Sequence, residues 1–123
     1  SVFKDHWGRA RPIQVTEFGG SKRFTPMGVI TNQCERNCSF VSGHASVGFY
    51  LMAFAWVTKQ NRKIWFFLGW FVGMVIGGLR IWQGGHFLSD VIVAGMLIHM
   101  TCSLLNLGIN TIQSGLLVKK TLI

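Results

Sequence analysis

The sequence predicts an all-α, membrane-embedded helical bundle with three transmembrane helices and an irregular N-terminal segment. Three observations predict it: three long apolar stretches, a charged fraction of only 13%, and connectors short enough to make neighbouring helices antiparallel. Because a soluble domain carries about 25% charged residues, much of this surface is expected to face lipid. At 123 residues the chain is expected to form one domain, 1–123, which we interpret as the C-terminal part of a longer membrane protein.

The segment 1–38 comes first and is polar and basic. Gly19, Gly20 and Pro26 interrupt any long helical periodicity in it, which favours a loop with at most a short helix. Three apolar stretches follow, and we expect transmembrane helices at 39–58, 64–82 and 86–109. A helix needs about 20 apolar residues to cross the hydrocarbon core. The first and third stretches have this length, and the second reaches it if it extends to Trp82.

Glycines repeat every four residues on the second apolar stretch, at Gly69, Gly73 and Gly77. Small residues at this spacing form a stripe along which another helix can pack closely. We interpret the stripe as helix packing rather than as a binding site.

Basic connectors set the expected orientation of the helices. The turn 59–63 and the pair Lys119-Lys120 fall on the same side, which the positive-inside rule makes cytoplasmic. The segment 1–38 and the polar ends of the apolar stretches then face the opposite side. Six Lys and Arg residues in 1–38 run against the rule, and we attribute several of them to an anionic ligand.

The three cysteines leave their chemistry open. Cys34 and Cys38 lie four positions apart in a polar segment, whereas Cys102 lies in an apolar run. The first two either form a short disulfide in an oxidising compartment or remain free thiols. The four N or S ligands of a structural zinc site are not evident.

Polar side chains at the ends of apolar helices are informative because their desolvation is costly. Three clusters of them fall on the non-cytoplasmic side. They are Lys4 with Arg11 in the segment 4–12; Ser42, Gly43 and His44 at the start of the first stretch; and Arg80, His86 and Asp90 around the second turn. Asp5, His6 and Arg9 read as surface or local support.

The spacing of the third cluster indicates nucleophilic chemistry. His86 and Asp90 are four positions apart, so they share one face at the start of a helix. Asp90 can then accept a hydrogen bond from one imidazole nitrogen and leave the other free to attack. Lys4, Arg11 and Arg80 supply positive charge for a phosphoryl group, and an arginine can bind two of its oxygens.

The second cluster adds donors and a titratable group. The segment from Ser42 to His44 begins a helix, so its backbone N–H groups can point at an anion. His44 can protonate a leaving oxygen.

Together the three clusters resemble the motifs of the type-2 phosphatidic acid phosphatase superfamily, which are Lys-x6-Arg-Pro, Pro-Ser-Gly-His and Ser-Arg-x5-His-x3-Asp. The matching blocks span residues 4–90, each with the family's internal spacing. Val41 replaces the usual Pro and Leu79 the usual Ser, which leaves the detailed phosphate geometry open. The surroundings of the blocks, 8–12 and 84–90, resemble the bacterial lipid A phosphatase branch.

The resemblance implies a phosphatase that uses no metal and no other cofactor. His86 would be the nucleophile that forms a phosphohistidine, Asp90 would orient it, and His44 would protonate the departing alcohol and later activate water. The residues that would hold the phosphate are Lys4, Arg11, Ser42, Gly43 and Arg80. The expected substrate is a lipid phosphate at the periplasmic face of a bacterial inner membrane, with lipid A or a related glycolipid the first choice. Phosphatidic acid, phosphatidylglycerophosphate and polyprenyl pyrophosphate are the alternatives.

Two other classes of function fit the composition less well. A basic membrane-interaction module would explain the charge and the apolar stretches, but not the spacing of His86 and Asp90. Nucleic-acid binding lacks a recognisable motif, and the apolar runs argue against it. His99, in the middle of the third stretch, is interpreted as packing, and the oligomeric state is not predicted.

Overall fold

The computed structural model describes residues 6–58 and 60–121, with side chains described as far as residue 114. Within these ranges the regular elements are helices and no strand forms, which confirms the predicted all-α class. The helices are α1 (Gly43–Phe49), α2 (Phe54–Val57), α3 (Arg62–Trp82) and α4 (Leu88–Thr121). The 3-10 turns are Pro12–Gln14, Thr16–Phe18 and Tyr50–Ala53, the last of which joins α1 to α2.

Two helices are long and apolar enough to cross a membrane. They are α3, with 21 residues, and the part of α4 from Leu88 to Ser114, with 27 residues, and each contains an 18-residue stretch with a mean hydropathy of 1.8. A helix of about 20 residues spans about 30 Å, which matches the hydrocarbon core. Two of the three expected spans therefore have the required helix.

The first expected span, 39–58, is shorter and less regular than the sequence suggests. Its helical part runs from Gly43 to Val57 and includes the 3-10 turn, so it falls below the length of about 20 residues that a crossing needs. The third span differs in the other direction, because α4 continues beyond residue 109 to Thr121. Gly108 does not end it, since a single glycine costs a helix only about 1 kcal/mol.

The glycine stripe lies where α3 meets its neighbours, as the sequence predicts. A Cβ atom added at Gly73 would lie 2.2 Å from Cδ1 of Phe49, and one at Gly77 would lie 2.2 Å from Cγ1 of Val91. At Gly69 it would lie 2.5 Å from atoms of Met52. The absence of side chains at these three positions therefore permits α3 to approach α1, the 3-10 turn and α4.

The buried core lies directly beneath the polar ends of the helices. Its members come from the segment before α1, from α1 with the following turn, and from the start of α4: Phe40, Val41, Ala45, Phe49, Met52, Val91 and Ala94. The opposite surfaces of α3 and α4 expose large apolar side chains, including Phe67, Phe71 and Leu105. This distribution is the one that lipid-facing helices require.

The N-terminal segment is irregular but is fixed to the helices. The amide of Ile13 donates to the carbonyl of Gly84 (3.1 Å), and the amide of Ser39 donates to the carbonyl of Arg9 (2.9 Å). Cys34 and Cys38 form a disulfide, so the structure adopts one of the two alternatives that the sequence left open. The bond between Ile13 and Gly84 holds the segment that follows the first motif against the turn between α3 and α4.

Candidate active site

His86 lies at the centre of the site, on the turn just before α4, and its side chain is fully buried. Its Nδ1 atom is 2.6 Å from the carbonyl oxygen of Ser39. A carbonyl oxygen can only accept a hydrogen bond, so Nδ1 carries the proton in this arrangement. The other nitrogen, Nε2, has no hydrogen-bond partner within the described residues. It therefore keeps a lone pair that is available for bonding.

Asp90 lies on the first turn of α4, close to His86 but not hydrogen-bonded to it. The distance from Oδ2 of Asp90 to Nδ1 of His86 is 3.8 Å, which is an electrostatic contact rather than the hydrogen bond that the spacing suggested. Oδ2 instead accepts from the hydroxyl of Ser39 and from the amide of Phe87, the latter at 2.9 Å. The tautomer of His86 is thus set by Ser39, and the i,i+4 spacing supplies proximity alone.

Arg9 is a site residue that the sequence reasoning placed at the surface or in local support. Its side chain is only 2% exposed, and Nη1 lies 2.6 Å from Oδ1 of Asp90. One signal in the sequence pointed to such a partner, because a carboxylate within an apolar helix is rarely buried unless it is paired. Several Lys and Arg residues could have paired with Asp90, and the sequence did not indicate that Arg9 would be the one to form this ion pair.

Arg11 and Arg80 are half-buried, and the groups around them hold their guanidinium groups in place. Arg11 donates from Nε and Nη2 to the carbonyl of Asn37, at 3.1 and 2.8 Å, which leaves three of its five N–H donors for other acceptors. Arg80 donates from Nη1 to Oε1 of Gln83 at 2.6 Å. Its Nε is buried and has no partner among the described residues. Both arginines keep donors that are suited to an oxyanion.

The second motif forms the start of α1, as the sequence predicts. Ser42 is the N-cap residue, and its hydroxyl oxygen accepts from the amide of Ala45 at 3.4 Å. The amide of Ser42 donates to the main-chain carbonyl of Asp90 at 3.3 Å, so the second and third motifs are joined directly. Gly43 and His44 follow on the exposed side of α1. Lys4, the first residue of the first motif, lies outside the described residues.

The described side chains around the site that keep unused hydrogen-bond donors are cationic. No group of three or more His, Cys, Asp or Glu side chains in the described ranges is arranged to hold a metal ion. The guanidinium of Arg9 forms an ion pair with Asp90. Arg11 and Arg80 instead keep N–H donors that have no partner among the described residues. The site therefore contains an imidazole nitrogen without a partner among the described residues, together with two partly free guanidinium groups.

An apolar cavity of about 430 Å³ adjoins the site. It lies between the first 3-10 turns and the turn that joins α3 to α4, where Ile13 is tied to Gly84. Its lining residues are Pro12, Ile13, Phe18, Ile81, Trp82, Gln83, Gly84, His86, Phe87 and Leu88. Ile13, Phe18 and Trp82 are largely exposed. The cavity thus places apolar surface beside the imidazole of His86.

The fold and the site together define a helical protein with two helices long and apolar enough to cross a membrane. A buried histidine lies at one end of these helices, beside an aspartate that is paired with a buried arginine. The chain belongs to the PAP2 superfamily, whose model matches residues 1–111. This result confirms the resemblance carried by the three motifs.

Curated relatives of the chain are named lipid A 4'-phosphatase. One from Francisella tularensis subsp. novicida (strain U112) is 46% identical over 102 residues, which cover 81% of this chain and 46% of the relative. One from Rhizobium leguminosarum is 39% identical over 93 residues, which cover 75% of this chain and 40% of the relative. The chain therefore spans less than half the length of these relatives. No solved structure matches the chain.

Proposed function

We propose that the protein hydrolyses a phosphate monoester on a membrane lipid through a phosphohistidine intermediate at His86. The observation that carries the proposal is the state of the His86 imidazole. Nδ1 is bound to a main-chain carbonyl at 2.6 Å, and Nε2 is left without a partner among the described residues. An imidazole held in one tautomer by one nitrogen is prepared to attack with the other.

The first step of the proposed reaction transfers the phosphoryl group to the protein. The Nε2 lone pair of His86 forms a bond to phosphorus as the bond from phosphorus to the ester oxygen breaks. His44 gives its proton to that oxygen, so the lipid leaves as an alcohol. The ring then carries a positive charge, and the Ser39 carbonyl and Asp90 lie on its Nδ1 side, where they stabilise that charge.

The second step releases phosphate. His44 accepts a proton from water as the water oxygen bonds to phosphorus, and the bond between phosphorus and Nε2 breaks. Lys4, Arg11, Ser42, Gly43 and Arg80 are the residues that we assign to the phosphate oxygens. Their cationic and hydrogen-bonding groups stabilise the charge that these oxygens carry in both steps, without a requirement for a metal.

A lipid substrate is supported by where the site lies. The reactive nitrogen stands at the end of apolar helices, so the phosphate it attacks must reside at headgroup depth. A lipid positions its phosphate there by partitioning, which raises the effective concentration of the ester. The apolar cavity beside His86 offers surface to the apolar part of such a molecule. The names of the relatives favour lipid A or a related phosphorylated glycolipid over the alternatives.

The orientation of the site follows from charge. Arg62 and Lys63 begin α3, whereas Arg80 and His86 lie near its other end, so the basic turn and the site fall at opposite ends of the helix. The positive-inside rule then assigns the site to the periplasmic face. We further propose that the helical segment Gly43–Val57 is the third membrane-embedded element, although it is shorter than α3 and α4.

The test is phosphate release by the full-length protein in one detergent system. Lipid A, phosphatidic acid, phosphatidylglycerophosphate, polyprenyl pyrophosphate and a soluble sugar phosphate are compared by kcat/KM. The proposal expects lipid A to be preferred. Preference for another lipid would overturn the choice of lipid, preference for the sugar phosphate would overturn the lipid class, and no release from any substrate would favour a membrane-interaction module.

A further inference from the structure

We propose that Arg9 is a positioning residue for the nucleophile, which it controls through Asp90 and the main chain at Ser39. The inference rests on the proposed function, in which Nε2 of His86 attacks phosphorus. It assigns to Arg9 a part in the reaction although its side chain does not contact His86. Three consecutive contacts form the connection.

The first contact joins Arg9 to Asp90. The guanidinium donates from Nη1 to Oδ1 of Asp90 at 2.6 Å and to the hydroxyl of Ser89 at 2.9 Å. Its Nε donates to the carbonyl of Thr25 at 2.9 Å, and its central carbon lies 4.2 Å from the ring centroid of Phe87. The side chain of Arg9 is 2% exposed, and these contacts hold its guanidinium in one position. The guanidinium in turn holds the carboxylate of Asp90 in place.

The second contact joins Asp90 to Ser39. The hydroxyl of Ser39 donates to Oδ2 of Asp90, and the amide of Ser39 donates to the carbonyl of Arg9 at 2.9 Å. Ser39 is therefore held twice, once by the main chain of Arg9 and once by the carboxylate that the Arg9 side chain fixes. Both Ser39 and Asp90 are fully buried, so water does not compete for these bonds.

The third contact joins Ser39 to His86, through the 2.6 Å bond between the carbonyl oxygen and Nδ1. This bond decides which nitrogen carries the proton and where Nε2 points. A shift of the Ser39 carbonyl would turn the ring or free Nδ1, and Nε2 would then become the protonated nitrogen in part of the population. A protonated Nε2 cannot attack, so the fixed position of Ser39 is a condition of the reaction.

A purely structural role for Arg9 makes a different prediction. If Arg9 only neutralised Asp90, its loss would lower stability, whereas the folded molecules would keep the His86 tautomer and the rate of attack. If Arg9 positions the nucleophile, the folded molecules themselves would be slow. The two roles are therefore separated by measurements on folded protein.

The experiment uses full-length protein with the substitutions Arg9→Gln and Arg9→Lys, and Lys63→Gln as a control far from the site. Three quantities are measured: KM, the single-turnover rate of phosphohistidine formation at saturating lipid phosphate, and the 15N spectrum of the histidine rings, assigned with His86→Gln. We expect Arg9→Gln to slow phosphorylation on the order of 100-fold, as a misplaced reactive group does. The spectrum should then show both tautomers of His86.

KM should change less than about threefold in Arg9→Gln, because the residue does not contact the phosphate. Arg9→Lys should restore part of the rate, since an ammonium can still reach Asp90 but cannot also bind Thr25 and Ser89. Lys63→Gln should behave as wild type. Wild-type phosphorylation and a single tautomer in Arg9→Gln would overturn the proposal.

A variant that keeps every charge covers the case in which Arg9→Gln does not fold. Ser39→Ala retains the carbonyl and loses the hydroxyl bond to Asp90, and we expect phosphorylation to slow about tenfold. Wild-type rates in both Ser39→Ala and Arg9→Lys would overturn the connection. Absence of phosphohistidine in the wild-type protein would instead overturn the function proposed above, so the two failures are distinguishable.

Discussion

The carbonyl oxygen of Ser39 lies 2.6 Å from Nδ1 of His86, although the two residues are 47 positions apart in the chain. Asp90, which is four positions from His86, lies farther away at 3.8 Å. The main chain just before the second motif therefore orients the histidine of the third, and the carboxylate acts on the histidine through space and through Ser39. This order of contacts sets what each substitution is expected to do.

His86→Ala and Asp90→Asn should differ in how much activity they lose. His86→Ala removes the nitrogen that we propose as the nucleophile, and we expect a loss of at least about 10⁴-fold with no trapped phosphoenzyme. Asp90→Asn leaves the nitrogen in place and disturbs only its support, so the loss should be about 10²-fold. Denaturation at alkaline pH during turnover of radiolabelled substrate should yield, in wild type, a protein-bound phosphate that is stable in alkali and is lost in acid. Retention of that label in His86→Ala would contradict the assignment of the nucleophile.

Arg80→Lys should be poorly tolerated although it keeps the charge. Arg80 donates to Gln83 while its Nε remains without a partner among the described residues, so one guanidinium can serve the turn and an oxyanion together. An ammonium cannot replace this two-pronged contact, and kcat/KM should fall on the order of 10²-fold. The control is Arg62→Lys, at the other end of α3. Equal activity of the two variants would remove Arg80 from the phosphate site.

Vanadate should inhibit the same reaction, and chelators should not. Vanadate adopts the five-coordinate geometry of phosphoryl transfer, and the cations assigned to bind it are side chains rather than metal ions. The measurement is phosphate release in the presence of vanadate, and separately after chelation. Full loss of activity on chelation, restored by magnesium, would contradict this prediction.

The close approach of α3 to α1 predicts opposite effects for two neighbouring glycines. A Cβ atom at Gly73 would lie 2.2 Å from Phe49. One at Gly78 would meet no atom of the described residues within 4 Å, apart from its chain neighbours and the backbone of its own helix. Gly73→Ala should therefore destabilise the protein by about 1–3 kcal/mol. Gly78→Ala should be neutral or stabilising by up to about 1 kcal/mol. Thermal unfolding of the two variants in detergent checks this, and a stable Gly73→Ala protein would contradict the packing.

The parts of the site that sequence could predict are those set by local geometry. His86 and Asp90 lie only four positions apart across the start of α4, so their short separation in the sequence keeps them close. Ser42 begins α1 because serine is a good N-cap. The bonds that Ser39 and Arg9 make cannot be derived in this way, because they join residues 47, 51 and 81 positions apart. Such contacts depend on how the irregular segment folds back, for which no periodicity exists.

The helices, too, were predicted correctly in some parts and not in others. Hydropathy identified α3 and α4 because each is a continuous apolar helix of bilayer length. Hydropathy overestimated the length of the helix in the first span. An apolar stretch shows which residues are hydrophobic, but it does not show whether they form one continuous helix. The 3-10 turn Tyr50–Ala53 lies within that stretch and has no polar residue to mark it.

The orientation predicts which residues a membrane-impermeant thiol reagent can reach in intact cells. Asn61 lies in the basic turn just before α3, which the positive-inside rule assigns to the cytoplasm. A cysteine at Asn61, in a protein that lacks the native cysteines, should be protected until the cells are permeabilised. A cysteine at exposed Thr16 should be labelled at once. Labelling of position 61 in intact cells would show the reverse orientation.

The Cys34–Cys38 disulfide should influence substrate binding through Arg11. Asn37 lies inside the loop that the disulfide closes, and its carbonyl accepts both bonds from the Arg11 guanidinium, at 3.1 and 2.8 Å. Without the disulfide the loop gains conformational freedom, so the carbonyl would no longer hold the guanidinium at the proposed phosphate site. We expect KM to rise about tenfold, which corresponds to the loss of one hydrogen bond to a charged group.

This last prediction is tested with the double variant Cys34→Ser/Cys38→Ser and with wild type under reductant, which should show the same KM. Reductant should not change the double variant further, and Cys102→Ala serves as the control for loss of the remaining thiol. Because Arg11 is assigned to the phosphate rather than to the His86 tautomer, Arg11→Lys should raise KM in wild type but should add little to the double variant. Additive effects of the two changes would show that the disulfide and Arg11 act separately.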